Sequence, residues 1–328
     1  MAASPKYVLI SMMRDEAPYI LDWVAHHRAL GFEHFVVFHN DCTDNTVQIL
    51  ERIATQGYMT VRKNRHGPGG LQRTALRMAR DIPEVQGAEW IWICDADEYL
   101  NIHAGDHRVE DLITSVPGDS DSIAVPWRNF SSNGHVQVSD ARMPVAFTDA
   151  APPLNGTRNR LQPCKSLSRN IHKYKRLGTH QPIPNEEHID DYKRVMPGGI
   201  EIVSSDDYLK HARFDVAQVN HYAVRSLDGF LIKKSRMRVN HAGSVDTSYF
   251  ARLGLGGHHD DSIHRYEPMK EPFWEEFRAD ERLMYMQRRA IRHHRLRGIS
   301  LREEEGFADV HEEIKKIAAS VPPAKPPS

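Results

Sequence analysis

Cysteine is scarce in this chain of 328 residues, with only Cys42, Cys94 and Cys164. Three well-separated cysteines match no zinc-ligand spacing and outline no disulfide framework, which fits a reducing, cytoplasmic compartment. A basic excess is missing as well. Lys and Arg number 43 against 44 Asp and Glu, a net charge of −1, and that argues against a general nucleic-acid binder. No run reaches the ~20 apolar residues of a membrane span, so membrane contact is expected to be peripheral at most. The opening MAASPKYVLISMMRDE has one Lys and a short apolar stretch ending at Arg14, a strand rather than a signal peptide. Neither G-x-G-x-x-G nor a Walker A loop follows that strand, which disfavours dinucleotide and P-loop sites.

What is present is alternation. Tyr7–Met12 reads as a strand, and Pro18 opens a helix with Ile20, Leu21, Val24 and Leu30 on one face before Gly31 stops it. His34–Phe38 is a second strand, and Thr43 or Asp44 caps a helix carrying Val47, Ile49, Leu50 and Ile53. Tyr58–Val61 is a third strand, Leu71–Arg80 a helix and Trp90–Cys94 a fourth strand. Strand and helix in turn predict an α/β fold with a doubly wound, mostly parallel sheet. Beyond residue 100 the pattern loosens. Ser122–Pro126, Cys164–Ser168, Ile200–Val203 and Ala217–Ala223 read as strands, and 149–163 as a long polar loop. Helices are expected over Leu227–Val239, 274–297 and Ala308–Ala319, before the Pro-rich tail VPPAKPPS. The expected division is 1–240 as the main domain, 241–320 as a helical C-terminal extension and 321–328 as a disordered tail.

The most telling segment is EWIWICDADEYL, residues 89–100. An apolar run that ends in Asp95, Asp97 and Glu98 reads as a buried parallel strand with carboxylates at its carboxyl end. Hard oxygen ligands so placed suit Mg²⁺ or Mn²⁺, and open α/β sheets bind ligands at that edge. The competing reading is an acidic turn that caps the next helix. Three further polar clusters follow the other early strands: Met13–Glu16, His39–Asp44 and Arg65–Gly70. Each alone is ordinary loop composition. Together they line one sheet edge where a nucleotide would lie.

These residues carry a resemblance. MMRDEAPYILDWVAHHRALGFEHFVVFHNDCTDNT, WIWICDADEYL and VNHYAVRSLDGFLIKKSRM occur here in the order of the motifs of bacterial family 2-like glycosyltransferases. In that pattern Asp15 stands where Asn is usual, and His39-Asn40 replaces Asp-Asn. The resemblance implies a GT-A fold and an inverting transfer from a nucleotide-diphosphate sugar, most often a UDP-sugar, to a glycan, polysaccharide or lipid-linked acceptor. It also implies a Mn²⁺ or Mg²⁺ ion, with Asp97 as direct ligand, Asp95 on ribose or a metal-bound water, and His221 as a third ligand. Arg14, Asp15, Glu16, Asn40, Asp41 and Arg73 are then the donor-binding candidates, the arginines because their forks match phosphate.

The plain alternatives are a packed interior histidine for His221 and surface placement for the arginines. Lys233, Lys234 and Arg236 could neutralise diphosphate or form a solvated basic face. The acceptor's proton needs a base, for which His180 and Asp261 are candidates. The arginine-rich helix near residue 285 could lie on an anionic membrane, though packing through Leu283, Met286, Ala290 and Ile291 is the favoured reading. Two rival functions stand beside the transferase: a nucleotidyltransferase, against which SMMRDEAP lacks a Gly-rich loop, and a degenerate binding module.

Overall fold

The computed structural model describes residues 4–153, 164–237 and 247–321. Residues 154–163 of the expected loop, 238–239 of one expected helix and 322–328 of the tail lie outside the described residues. The first hundred residues give β1 (Tyr7–Met13), α1 (Ile20–Leu30), β2 (His34–His39), α2 (Thr46–Ala54), β3 (Met59–Lys63), α3 (Gly70–Ala79), α4 (Pro83–Gln86) and β4 (Trp90–Ile93). Then come β5 (Glu98–Ile102), α5 (Val109–Thr114), β6 (Ser122–Asn129), α6 (Met143–Ala146), β7 (Asp149–Ala150) and β8 (Cys164–Arg169). The short β9 (Tyr174–Arg176), β10 (Ile183–Pro184) and β11 (Arg194–Val195) precede α7 (Ser205–His211) and β12 (Ala217–His221). The remainder is α8 (Leu227–Met237), α9 (Thr247–Leu253), β13 (His258–His259), α10 (Glu267–Ala279), α11 (Glu281–Glu303) and α12 (Ala308–Ser320).

The chain forms two compact units: Met1–Glu16, Trp23–Trp127 and Pro153–Val219 make the first, and Ala17–Asp22, Arg128–Pro152 and Asn220–Ser328 the second. The first is built on a sheet of order β3-β2-β1-β4-β8-β6-β12-β5, with β11 added on β6. The pairs β1–β2, β2–β3 and β1–β4 are parallel, as the alternation predicted. The β4–β8 and β6–β8 pairs are antiparallel, so the α/β sheet as a whole is mixed. Strand β1 is buried along almost its whole length instead of alternating, because helices cover both faces of a parallel sheet. Val8, Ile10, Val36, Phe38, Ile91 and Ile93 pack under Ala75 and Leu76 of α3. Each large aliphatic side chain buried there contributes about 1.5–3 kcal/mol. In α2, Thr46, Ile49, Leu50 and Ile53 are the buried residues, the i, i+3, i+4, i+7 stripe of an amphipathic helix.

Three expectations change. Residues 200–203 form only an isolated bridge, Val195 to Glu201, and Val203 is left 83% exposed. The helix expected over 274–297 breaks at Asp280, whose extended backbone ends α10. Its Oδ1 accepts a bond from Leu283 N at 3.0 Å and so caps α11. Glu98 starts a strand, so the acidic run is a turn between strands and not the cap of a helix.

The second unit is largely helical, with α8 packed on α11 and α12, and α9 on α12. Asp228 is fully buried and accepts Arg302 Nε at 2.7 Å and Nη2 at 2.5 Å. Gly298 makes this possible, since a Cβ there would sit 2.6 Å from that of Asp228. The arginine-rich helix α11 buries Leu283, Met286, Ala290 and Leu301, with Ile291 half-buried. Arg295 donates to Val138 O at 2.8 Å, and Arg297 pairs with Glu304. No helix among the described residues is long and apolar enough to cross a membrane.

Candidate functional site

Register sets the edge on which the polar clusters emerge. Met13 pairs with His39 and His39 with Lys63, so the segments after β1, β2 and β3 leave the sheet side by side. Cys94 N donates to Ile10 O at 3.2 Å, which brings the Asp95–Glu98 turn out at the same carboxyl edge.

The loop after β2 is tied down by Asp15. Its Oδ1 accepts from Thr43 N at 2.5 Å, Thr43 Oγ1 at 3.2 Å and Asp44 N at 3.2 Å. Asp15 has φ 53°, a left-handed conformation that Asp and Asn tolerate best among side-chain-bearing residues. Glu16 N donates to Thr46 Oγ1 at 2.8 Å, so the segment after β1 also holds the start of α2. Asp44 Oδ1 accepts from Thr46 N at 2.8 Å. The loop then presents Asn40 and Asp41. Asn40 Nδ2 donates to Asp41 Oδ2 at 3.3 Å, and this bond, with the charges of Arg14 and His66, holds the Asp41 carboxyl below its ordinary value. Arg14 Nε lies 4.0 Å from Asp15 Oδ2.

At the end of β4 three carboxylates crowd one turn. Lys165, on β8 and 1% exposed, answers two of them: its Nζ lies 3.1 Å from Asp95 Oδ2 and 3.0 Å from Glu98 Oε2. Burial opposes the lysine's charge, but Asp95 and Glu98 overcome it and keep it protonated. Burial pushes the Glu98 carboxyl up to about 8; Lys165 works against that shift, and Asp95 and Asp97 add to it. Glu98 Oε2 also accepts from Asp95 N at 3.0 Å, while its buried Oε1 has no hydrogen-bond partner among the described residues.

The motif residues Trp23, His26 and His27 brace this turn. Trp23 Nε1 donates to Asp95 O at 3.1 Å, and His26 Nε2 bonds Leu100 O at 2.8 Å. His27 is buried against the Trp23 ring, its Nδ1 on Trp23 O at 2.9 Å, and burial lowers its pKa to about 3.

The remaining candidates are distributed as follows. His180 lies in the first unit with its ring 5.3 Å from that of Trp127, and Nδ1 is 3.1 Å from Cys164 O. A carbonyl only accepts, so Nδ1 carries the proton and a neutral ring keeps its lone pair on Nε2. Burial, followed by the Lys165 charge, lowers its pKa. Asp261 belongs to the second unit, 55% exposed and 3.2 Å from His259 Nε2. Its neighbour Asp260, not Asp261, caps the following turn, with Oδ1 accepting from Ser262 N at 3.0 Å. The preceding glycines serve a close approach: a Cβ on Gly256 would fall 1.9 Å from Asp149 Oδ2, and Gly257 N donates to Asp149 Oδ1 at 2.6 Å. His221, 4% exposed, donates from Nδ1 to Asn129 Oδ1 at 3.0 Å, which leaves Nε2 as the acceptor nitrogen. Lys233 Nζ donates to Ala223 O at 3.1 Å. Arg73 lies on the exposed face of α3, in a cleft with Arg77 and Arg80.

Sequence reasoning missed Lys165 and the partnering role of Glu98. The signal for the first was a lysine inside the short strand CKSLS, where a charge has no place unless it is paired.

The donor set fits a hard divalent cation. It offers carboxylate oxygens at one turn, among them a buried Glu98 oxygen with no hydrogen-bond partner among the described residues.

An α/β unit with polar clusters along the carboxyl edge of its strands is of a ligand-binding class, and the sequence comparison is specific. The family model "Glycosyltransferase family 92" matches residues 9–240, and the chain belongs to that family. The motif resemblance pointed to family 2-like enzymes. The family shown is 92, so the glycosyltransferase reading stands and the family 2 assignment is corrected.

A glycosyltransferase family 92 protein of Oryza sativa subsp. japonica is 21% identical over 144 residues, 42% of this chain and 24% of that protein. One of Ricinus communis is 21% identical over 147 residues, 43% and 25% respectively. The matched segment therefore spans about a quarter of the length of these relatives. Among solved structures, S. aureus TarS 1–349 is similar at 14% identity and a TM-score of 0.31, covering 91% of each chain. Its complex with UDP-GlcNAc gives 16% and 0.32, covering 91% of this chain and 92% of that one.

Proposed function

We propose that the protein is a metal-dependent, inverting glycosyltransferase that moves a sugar from a nucleotide-diphosphate sugar, a UDP-sugar first among them, to a glycan or lipid-linked acceptor. The observation that carries the reading is the crowding of Asp95, Asp97 and Glu98 at the carboxyl edge that also presents Arg14, Asn40 and Asp41, in a chain of glycosyltransferase family 92.

In this reading Asp97 and His221 hold a Mn²⁺ or Mg²⁺ ion, with Asp95 on the ribose or on a metal-bound water. The cation, when bound, offsets the charge that develops on the departing diphosphate. Arg14 and Glu16 flank the donor phosphates and their counter-charge, and the Asp15-latched loop offers Asn40 and Asp41 to base and ribose. His180 takes the acceptor's hydroxyl proton on Nε2, its lowered pKa keeping that lone pair free at neutral pH. Asp261 is the alternative base.

The test is release of free nucleotide from a panel of sugar nucleotides with Mn²⁺, Mg²⁺ or EDTA. Turnover of one donor that EDTA abolishes is expected. Turnover unchanged by EDTA removes the metal from the proposal, and no turnover or binding of any sugar nucleotide removes the transferase.

A further inference from the structure

A cleft of about 650 Å³ in the first unit has a chemistry of its own. Helix α3 brings Arg73, Arg77 and Arg80 to one side of it, at the spacing that shares a helix face. The hairpin of β9 and β10 faces them with Lys175 and Arg176. Among the described residues, no carboxylate lines it. Lys175 is paired outward with Glu186 at 3.2 Å, and Arg80 Nη1 donates to Lys175 O at 2.8 Å. Arg73, Arg77 and Arg176 have no ion pair with any described residue.

Several cations elsewhere are matched, among them Arg128 with Asp260, Arg302 with Asp228 and Lys173 with Asp121. With a net charge of only −1, the unmatched cluster is not a by-product of a basic composition. Converging like charges repel, and a bound anion relieves that repulsion. Several guanidinium forks around one space favour a phosphate, with its tetrahedral oxygens, over a lone carboxylate.

The floor is apolar. Leu76 and Leu177 are buried there, and Ile183, 37% exposed, forms the rim. Ile183 also lines a second depression of about 480 Å³ that includes Ile189 and Val203. Those two side chains are 57% and 83% exposed, among the most exposed large apolar groups described. The second depression is mixed, with Arg194 and Glu201 beside its apolar groups, and the cationic cleft adjoins its apolar side chains through Ile183, which lines both.

We propose that this cleft binds the phosphate head of an amphiphile whose hydrocarbon runs over Ile183 toward Ile189 and Val203. The inference deepens the transferase reading by naming the class of acceptor carrier, a lipid-linked phosphate. It rests on that reading only for the carrier's role, not for the binding.

Binding of decyl phosphate below its micellar concentration, against inorganic phosphate and decanol, tests it on the whole chain. Decyl phosphate should bind at least about tenfold more tightly than either fragment, and R77E/R176E should weaken it by at least about tenfold. I189S/V203S should weaken decyl phosphate and leave inorganic phosphate unchanged. The milder R77Q serves if the double variant does not fold, with UDP binding in the same samples as the check on folding.

Co-sedimentation with phosphatidylglycerol and phosphatidylcholine vesicles separates the two sources of the head group. Capture by the anionic vesicles alone, lost in R77E/R176E, assigns a bilayer lipid. Binding of decyl phosphate without vesicle capture assigns a free lipid phosphate. Decyl phosphate binding no better than inorganic phosphate, or binding indifferent to the arginines, overturns the proposal. Failure of UDP to bind the wild type would instead count against the transferase reading and leave this result standing.

Discussion

Lys165 Nζ lies 3.1 Å from Asp95 Oδ2, although 70 residues separate the two in sequence. The ammonium group is buried beside Glu98, so it holds two carboxylates together at the turn where a cation is proposed to bind. Lys165→Met should leave Asp95 without its partner and Glu98 buried and protonated, and cost about 1–3 kcal/mol, the range for buried polar groups that lose a partner. Chemical denaturation measures it. A loss of under about 1 kcal/mol would mean that Asp95 and Glu98 find their compensation elsewhere.

Asp15 tests the latch on the loop after β2. Asp15→Asn keeps an oxygen acceptor and tolerates the left-handed backbone, so stability should change little. Asp15→Ala removes three accepted bonds, from the exposed Thr43 and the half-buried Asp44, and should cost about 0.5–1.5 kcal/mol, the net worth of a typical hydrogen bond where water can reach the donors. It should also weaken nucleotide binding, because Asn40 and Asp41 lose their support. Thermal melts and UDP titration of the two variants check this, and equal behaviour of Asn and Ala would dismiss the latch.

His27 makes the fold acid-sensitive. Its folded pKa is depressed by burial to about 3, while the unfolded chain takes up its proton near ~6.5. Below that value the unfolded state binds more protons, so stability present above ~6.5 is lost as pH falls toward 3, by a few kcal/mol in all. His27→Phe should flatten the stability profile between pH 6 and about 3. An unchanged acid limb would place the sensitivity in other groups.

His180 as base predicts a pH–rate profile with its acid limb below ~6.5, because burial and Lys165 lower the pKa of the ring that must be neutral to act. His180→Gln should lower kcat by about 10²–10⁴ with little change in donor affinity. If instead the rate is kept and the limb does not move, the proton goes elsewhere and Asp261→Asn becomes the variant to measure.

Much of this arrangement was legible in local pattern. The buried parallel strands announced themselves as unbroken apolar runs such as Tyr7–Met13 and Trp90–Ile93. The polar clusters then had to fall at one edge, because strands that run the same way end on the same side. What pattern could not supply was pairing across long separations. Nothing near Asp95 in sequence points to Lys165, and the strand at Glu98 begins so soon after β4 that its charges read as loop. Asp15, a candidate donor contact, also spends one oxygen on the loop, and the motif residues Trp23, His26 and His27 brace the acidic turn. The break at Asp280 hid inside a continuous helical pattern because a single capping carboxylate, rather than Gly or Pro, ends the helix there.

The most direct measurement of the central claim is titration of Mn²⁺ and then UDP into wild type and Asp97→Asn by calorimetry. Asn keeps the shape of the side chain but lacks the charge that holds a hard cation. The wild type should bind Mn²⁺, and UDP more tightly once it is loaded. Asp97→Asn should bind the ion at least about tenfold more weakly and lose the coupling, with its melting temperature kept. Equal Mn²⁺ and UDP affinities in the two proteins would contradict the account.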